Sequence, residues 1–135
     1  MKIPSSLLSS FDRNETAQIE LSHGFTVTLC ENNVTNPMWG KRAREFIQAN
    51  PDHPAAGDKF SEFIRDLRQN ITQAESTDFI ADVLIVDWQS DELKYTAKNA
   101  RELLRKLPRM ADNILLHSSI ESNYRNAEVE QAVGE

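Results

Sequence analysis

Apolar and polar positions change period along this chain, and each change predicts an element. From Ala17 they alternate strictly, with Ala17, Ile19 and Leu21 on one side and Gln18 and Glu20 on the other. After Ser22, His23 and Gly24 the alternation resumes, Phe25, Val27 and Leu29 being apolar against Thr26 and Thr28. A period of two interrupted by a glycine predicts a β-hairpin, with Gly24 supplying the positive φ of the turn. Two strands are marginal alone, so their apolar face is expected to rest on helices.

Downstream the period lengthens to that of a helix. Asn36 and Pro37 suit an N-cap followed by proline at the first helical position, and Asn50-Pro51 suits the end of the same helix. Trp39, Ala43, Phe46 and Ile47 form its buried stripe, whereas Lys41, Arg42 and Arg44 lie largely outside it. Residues 51–57, PDHPAAG, read as a loop. Phe60, Phe63, Ile64, Leu67 and Ile71 predict a second helix over residues 58–72. Thr77 is expected to cap a third helix reaching residue 86 and burying Phe79, Ile80, Val83 and Leu84. The run Val83-Leu84-Ile85-Val86 also suits a buried strand, helix being the preferred reading. Thr96 reads as the N-cap of a helix over 96–107 with Leu103, Leu104 and Leu107 inward. A last helix is expected over 109–124, with Met110, Ile114, Leu115 and Ile120 inward. Residues 1–15 read as a flexible arm, 16–125 as one domain and 126–135 as a flexible, acidic tail. The predicted fold is α+β, mainly α-helical, with an N-terminal β-hairpin packed on about five helices.

Length and charge narrow the function. A chain of 135 residues can bury one core without a disulfide or metal, and its single cysteine, Cys30, permits neither an intrachain disulfide nor a thiolate cluster. The longest wholly apolar run, residues 83–86, is far too short to cross a bilayer, and the first residues hold no secretory apolar segment, so a cytoplasmic protein is expected. A net charge of -6 argues against general nucleic-acid binding. The charge is unevenly placed. From residue 75 to 92 every charged side chain is acidic (Glu75, Asp78, Asp82, Asp87, Asp91, Glu92), whereas Lys94, Lys98, Arg101, Arg105, Lys106 and Arg109 follow against Glu102 alone. Two readings stay open: helix faces that attract one another within a chain, or head-to-tail pairing of subunits in which Asp87, Asp91 and Glu92 meet Lys98, Arg101 and Arg105 of a neighbour.

Candidate chemistry is sparse. His23, His53 and His117 lack metal-ligand spacing and read as surface histidines. Asp78 and Asp82, followed by Asp87, Asp91 and Glu92, could hold magnesium in a nuclease, although such runs are more often solvated loops. Four glycines supply no phosphate loop, and no serine sits in a nucleophile elbow, so no catalytic, cofactor-binding or metal-binding residue is expected. The helices flanking Pro108 could imitate a helix-turn-helix of a DNA-binding regulator, but the second carries Asp112 and Glu121, with Arg109 and Arg125 only near its ends. Trp88 and Tyr95 bracket the acidic loop and serve either as core plugs or as contact residues.

Several segments, taken in order, carry a resemblance. They are FTVTL at 25–29, Thr35-Asn36-Pro37 before a basic helix, the helix from Phe60, VLIVDWQ at 83–89, the acidic loop, Tyr95-Thr96-Ala97-Lys98-Asn99, Ala100-Arg101-Glu102-Leu103-Leu104, and Ile120-Glu121-Ser122-Asn123-Tyr124. Over roughly residues 19–125 the chain resembles the tail assembly chaperones of long-tailed bacteriophages and related prophages, with Ala97 standing where members of that family often carry proline. The resemblance implies a non-catalytic protein that coats the tape measure protein, keeps that long helical rod from aggregating, and recruits tail tube subunits. It also implies a frameshift-extended form of the same chain and absence from the mature virion, and the complementary acidic and basic segments suit a homo-oligomer with salt-sensitive association. Partner contact would fall on Trp88, Leu93, Tyr95 and Tyr124, with no nucleic acid and no membrane involved.

Overall fold

The computed structural model describes residues 1–67 and 73–125. Among them lie α1 (Ser5–Phe11), β1 (Thr16–Ser22), β2 (Phe25–Cys30), α2 (Pro37–Ala49), α3 (Phe60–Arg65), α4 (Gln73–Phe79), β3 (Ile85–Gln89), α5 (Ala97–Lys106) and α6 (Pro108–Ser118). Short 3₁₀ turns occur at Pro54–Ala56 and Glu121–Tyr124, and a π turn at Ile80–Leu84. The fold is α+β and mainly helical, with the hairpin at its N-terminal side.

The hairpin forms as the alternation predicts. Ala17 faces Leu29 and Ile19 faces Val27, and Gly24 holds φ at 77° in the turn. A third strand, β3, then lies antiparallel on β2, giving the order β1-β2-β3. Ala17, Leu29 and Ile85 make one row across the inner face, and Ile19, Val27 and Trp88 the next. The register slips between Thr28 and Leu29, which leaves Val86 as a bulge. Because of that extra residue Ile85 and Trp88, three positions apart, both turn inward, where a regular strand would send them to opposite faces.

The segment expected as one helix up to residue 86 therefore divides. α4 already starts at Gln73, so Thr77 is an interior residue, buried, with its hydroxyl donating to the Ala74 carbonyl at 3.1 Å. Residues 80–84 widen into the π turn, and Ile85 leaves it in extended conformation. The last carbonyls of a helix lack intrahelical donors. Arg42 of α2 supplies them here, donating from Nη2 to the Asp82 and Ile85 carbonyls at 2.7 and 2.8 Å and from Nε to the Val83 carbonyl at 2.9 Å. Ile80, Val83 and Leu84 are fully buried, with α2, α5, α6 and the sheet packed around them.

Around this centre α2 buries Trp39, Ala43 and Phe46 on the predicted stripe. Asn36 caps it, accepting from the Met38 amide at 3.2 Å, while its own side-chain amide donates to the Glu15 and Glu31 carbonyls at 3.1 and 3.0 Å. His53 is not a surface histidine: it is half-buried against Phe46 and Phe63, at ring separations of 4.8 and 5.3 Å, because the 51–57 loop folds onto the core. Phe79 closes that ring cluster against Phe46 and Phe63. α3 is shorter than the helix expected over 58–72, and Ile71 falls outside the described residues.

Thr96 caps α5, its hydroxyl accepting from the Asn99 amide at 2.9 Å. Thr96→Ala is expected to cost about 1 kcal/mol in denaturant unfolding, the usual worth of such a cap. Ala100 and Leu104 are buried on α5, but Leu107, expected inward, is 52% exposed because the helix ends before it. α6 also stops early, at Ser118, and Tyr124 enters the core from a separate 3₁₀ turn. At the other end, the residues expected as a flexible arm include the helix α1, none of whose side chains is buried. Arg13 fastens it by donating to the Ser9 and Ser10 carbonyls, and the Asn14 amide donates to the Tyr124 carbonyl at 2.6 Å. The tail expected at residues 126–135 lies outside the described residues.

Candidate functional site

The stretch from β3 to α5 brings the aromatic and charged candidates together. Trp88 points inward, 5% exposed, between Phe25 and Tyr95 at ring separations of 5.3 and 5.0 Å. Its indole Nε1 donates to the Leu93 carbonyl at 2.7 Å and so pins the acidic loop back onto the sheet. Tyr95 meets Trp88 edge-on, and its hydroxyl lies 3.5 Å from the Ile85 carbonyl. Burial pushes the Tyr95 phenol above its ordinary pKa, with Arg42 opposing. Asn99 completes the loop by donating to the Lys94 carbonyl at 2.9 Å.

This geometry revises the expected contact residues. Trp88 and Tyr124 are interior side chains, with Tyr124 fully buried, so neither offers a ring to a partner on this surface. The physical reason is the bulge at Val86 for Trp88 and the inward 3₁₀ turn for Tyr124. Leu93 and Tyr95 are half-buried and keep an exposed edge, while Asp87, Asp91 and Glu92 are exposed around them.

The acidic and basic segments meet within one chain. Arg101 forms a two-pronged pair with Asp82, and Arg105 another with Asp78 at 3.0 and 2.6 Å. Arg101 also sits 5.9 Å from the Phe46 ring centre. The pairing of Arg101 and Arg105 with a neighbouring subunit is thereby corrected: their guanidinium groups are engaged by α4 and the π turn, four residues apart on one helical face. Lys98 stays exposed on the first turn of α5. The same contacts bear on the nuclease alternative, since the carboxylates of Asp78 and Asp82 are held by arginines, and no group of three His, Cys, Asp or Glu residues suited to a metal occurs among the described residues.

Cys30 is fully buried, accepting from the Asn36 amide nitrogen at 3.4 Å. Burial pushes its thiol up to about 11, with Arg42 pulling the other way. Burial raises the Tyr124 phenol as well, and Cys30 and Glu31 beside it add to the effect. An acid whose pKa is higher folded than unfolded loses its proton first in the unfolded chain. Stability is therefore full below the ordinary thiol pKa and falls as pH rises towards about 11. Urea midpoints are expected to drop across that range, and to drop less in Cys30→Ala; an equal fall in the variant would assign the loss to other groups.

Two surface features were not predicted from sequence. An apolar groove of about 390 Å³ opens between the hairpin turn and the α5–α6 junction, lined by Leu21, Phe25, Leu103, Leu107 and Met110, with Arg109 the one charged wall among the described residues. At the opposite, open end of the hairpin a polar hollow of about 380 Å³ is walled by Asp12, Glu15, Glu31 and Glu121 against Arg13. Burial, countered by Arg13, raises the Glu31 carboxyl above its usual range. The signal for the groove was present in Leu107, an apolar residue just past the end of a helix.

No family model matches the chain, and neither the curated proteins nor the solved structures contain a match to it.

Proposed function

We propose that this chain is a non-catalytic tail assembly chaperone of the long-tailed phage type, which binds a tape measure protein and helps recruit tail tube subunits. The observation that carries the reading is that the best part of the resemblance, residues 83–104, is one packed unit. The π turn, β3, the loop and α5 are joined by the Trp88–Leu93 hydrogen bond, the Trp88–Tyr95 contact and the Arg101–Asp82 pair. Such a unit presents a shaped edge, made of Leu93, Tyr95 and the acidic side chains Asp87, Asp91 and Glu92, to another polypeptide. Under this reading the chain acts in the host cytoplasm, self-associates, and is released before the virion is complete.

Co-expression with the tape measure protein encoded beside it tests the proposal. The expected result is co-purification and a rise in the soluble fraction of the client. A client that stays insoluble and elutes without the chain would sink the idea. The DNA-binding alternative rests on α5 and α6, which meet at Leu107. It predicts a salt-dependent gel shift of duplex DNA, which the chaperone reading does not.

A further inference from the structure

Among the described residues α1 keeps an apolar stripe in water, none of its side chains being buried. Leu7 and Phe11, one turn apart, are 47% and 78% exposed, and Ile3 continues the stripe ahead of them. The helix is fastened by the Arg13 side chain on its last carbonyls and by the Asn14 link to Tyr124, with Leu8 half-buried and the Leu7 and Phe11 edge held out in water. The apolar groove beside Leu107 is the complementary feature. It sits at the turn end of the hairpin, whereas α1 leaves the open end, about 20 Å away at the rise of an extended strand. α1 cannot reach the groove of its own chain.

Charge matches the same pairing. Among the described residues the hollow at the root of α1 is walled by four carboxylates against one guanidinium, and the groove has Arg109 as its charged wall, with Lys106 exposed on the preceding turn. We propose that α1 of one copy seats Leu7 and Phe11 in the groove between the hairpin turn and the α5–α6 junction of a second copy, bringing its acidic root towards Arg109 and Lys106. Donor and acceptor surfaces differ and lie at opposite ends of the molecule, so the contact is heterologous and repeats head to tail, closing as a ring or growing as a filament. The inference names surfaces for the self-association that the chaperone reading also expects, and no client enters it, so its failure leaves the co-purification test of that reading standing.

The test uses the full chain alone, with mass followed by light scattering at low salt. The native chain is expected to gain mass steadily with concentration and to lose that gain in high salt. Phe11→Asp and Leu107→Asp alter exposed side chains, and each variant alone is expected to stay monomeric with an unchanged circular dichroism spectrum. Mixed together they are expected to form dimers and nothing larger, since the Phe11→Asp chain keeps a sound groove and the Leu107→Asp chain keeps a sound α1. A native chain that stays monomeric would overturn the proposal. So would a mixture that gives no dimer, or variants that still associate, an α1-to-α1 contact being marked by Leu107→Asp chains that dimerise alone.

Discussion

Arg42→Ala is expected to lower the unfolding free energy by about 2 kcal/mol or more, because it strips the donors from the Asp82 and Val83 carbonyls and leaves Ile85 only the Tyr95 hydroxyl, and each unsatisfied buried polar group costs roughly 1–3 kcal/mol. Those carbonyls belong to the point where the π turn becomes β3, so no neighbouring amide can replace the lost donors without unwinding the strand. Arg42→Lys is expected to recover only a minor part, since an ammonium is a point donor and cannot span three acceptors as a planar guanidinium does. Denaturant unfolding measures both variants. A loss below about 1 kcal/mol for alanine would mean that solvent serves the carbonyls as well as the arginine does.

Trp88→Ala is expected to be at least as damaging, at about 3 to 5 kcal/mol, the usual range for removing a large buried aromatic side chain. The indole fills the space between Phe25 and Tyr95 and holds the Leu93 carbonyl, so its loss opens a cavity and frees the acidic loop together. Trp88→Phe keeps the ring and drops the hydrogen bond, and a smaller cost is expected. If Trp88 were instead a contact residue, alanine would leave the unfolding midpoint where it was and abolish client binding. The two roles separate in one pair of measurements.

The legible parts of the fold were those written in local chemistry. Alternation set the hairpin, Asn36-Pro37 set the start of α2, and Thr96 set the start of α5, each through a residue that acts on its near neighbours. β3 was legible only as the alternative strand reading of residues 83–86, because two departures from regularity meet in it. The π turn displaces the helical stripe before Ile85, and the bulge at Val86 breaks the alternation after it, so neither period fits residues 80–89. The part played by Arg42 was hidden for another reason: a guanidinium off the apolar stripe looks solvated until a distant segment brings it carbonyls to hold.

At the candidate site the sequence supplied the residues without their directions. It placed Trp88, Tyr95, the acidic run and the basic run side by side, and left open whether the aromatics were plugs and whether the charges paired inside one chain. Distances decide both for Trp88, Arg101 and Arg105, in favour of the interior role and the internal pairs. Helical spacing continues through Leu107 and predicts it in the core, and only the helix end at Lys106 turns it outward.

The widened turn at Ile80–Leu84 carries an implication for how this chain tolerates changes of length. A π turn holds one residue more than the α-helix it interrupts, and each helical residue rotates the chain by about 100°. Deleting one residue there would restore an ordinary helix and swing β3 round, leaving Arg42 with nothing to hold and Val86 with no slip to absorb. The surplus residue, the arginine and the bulge thus stand or fall together, and a chain shortened by one residue in that turn is expected to forfeit all three.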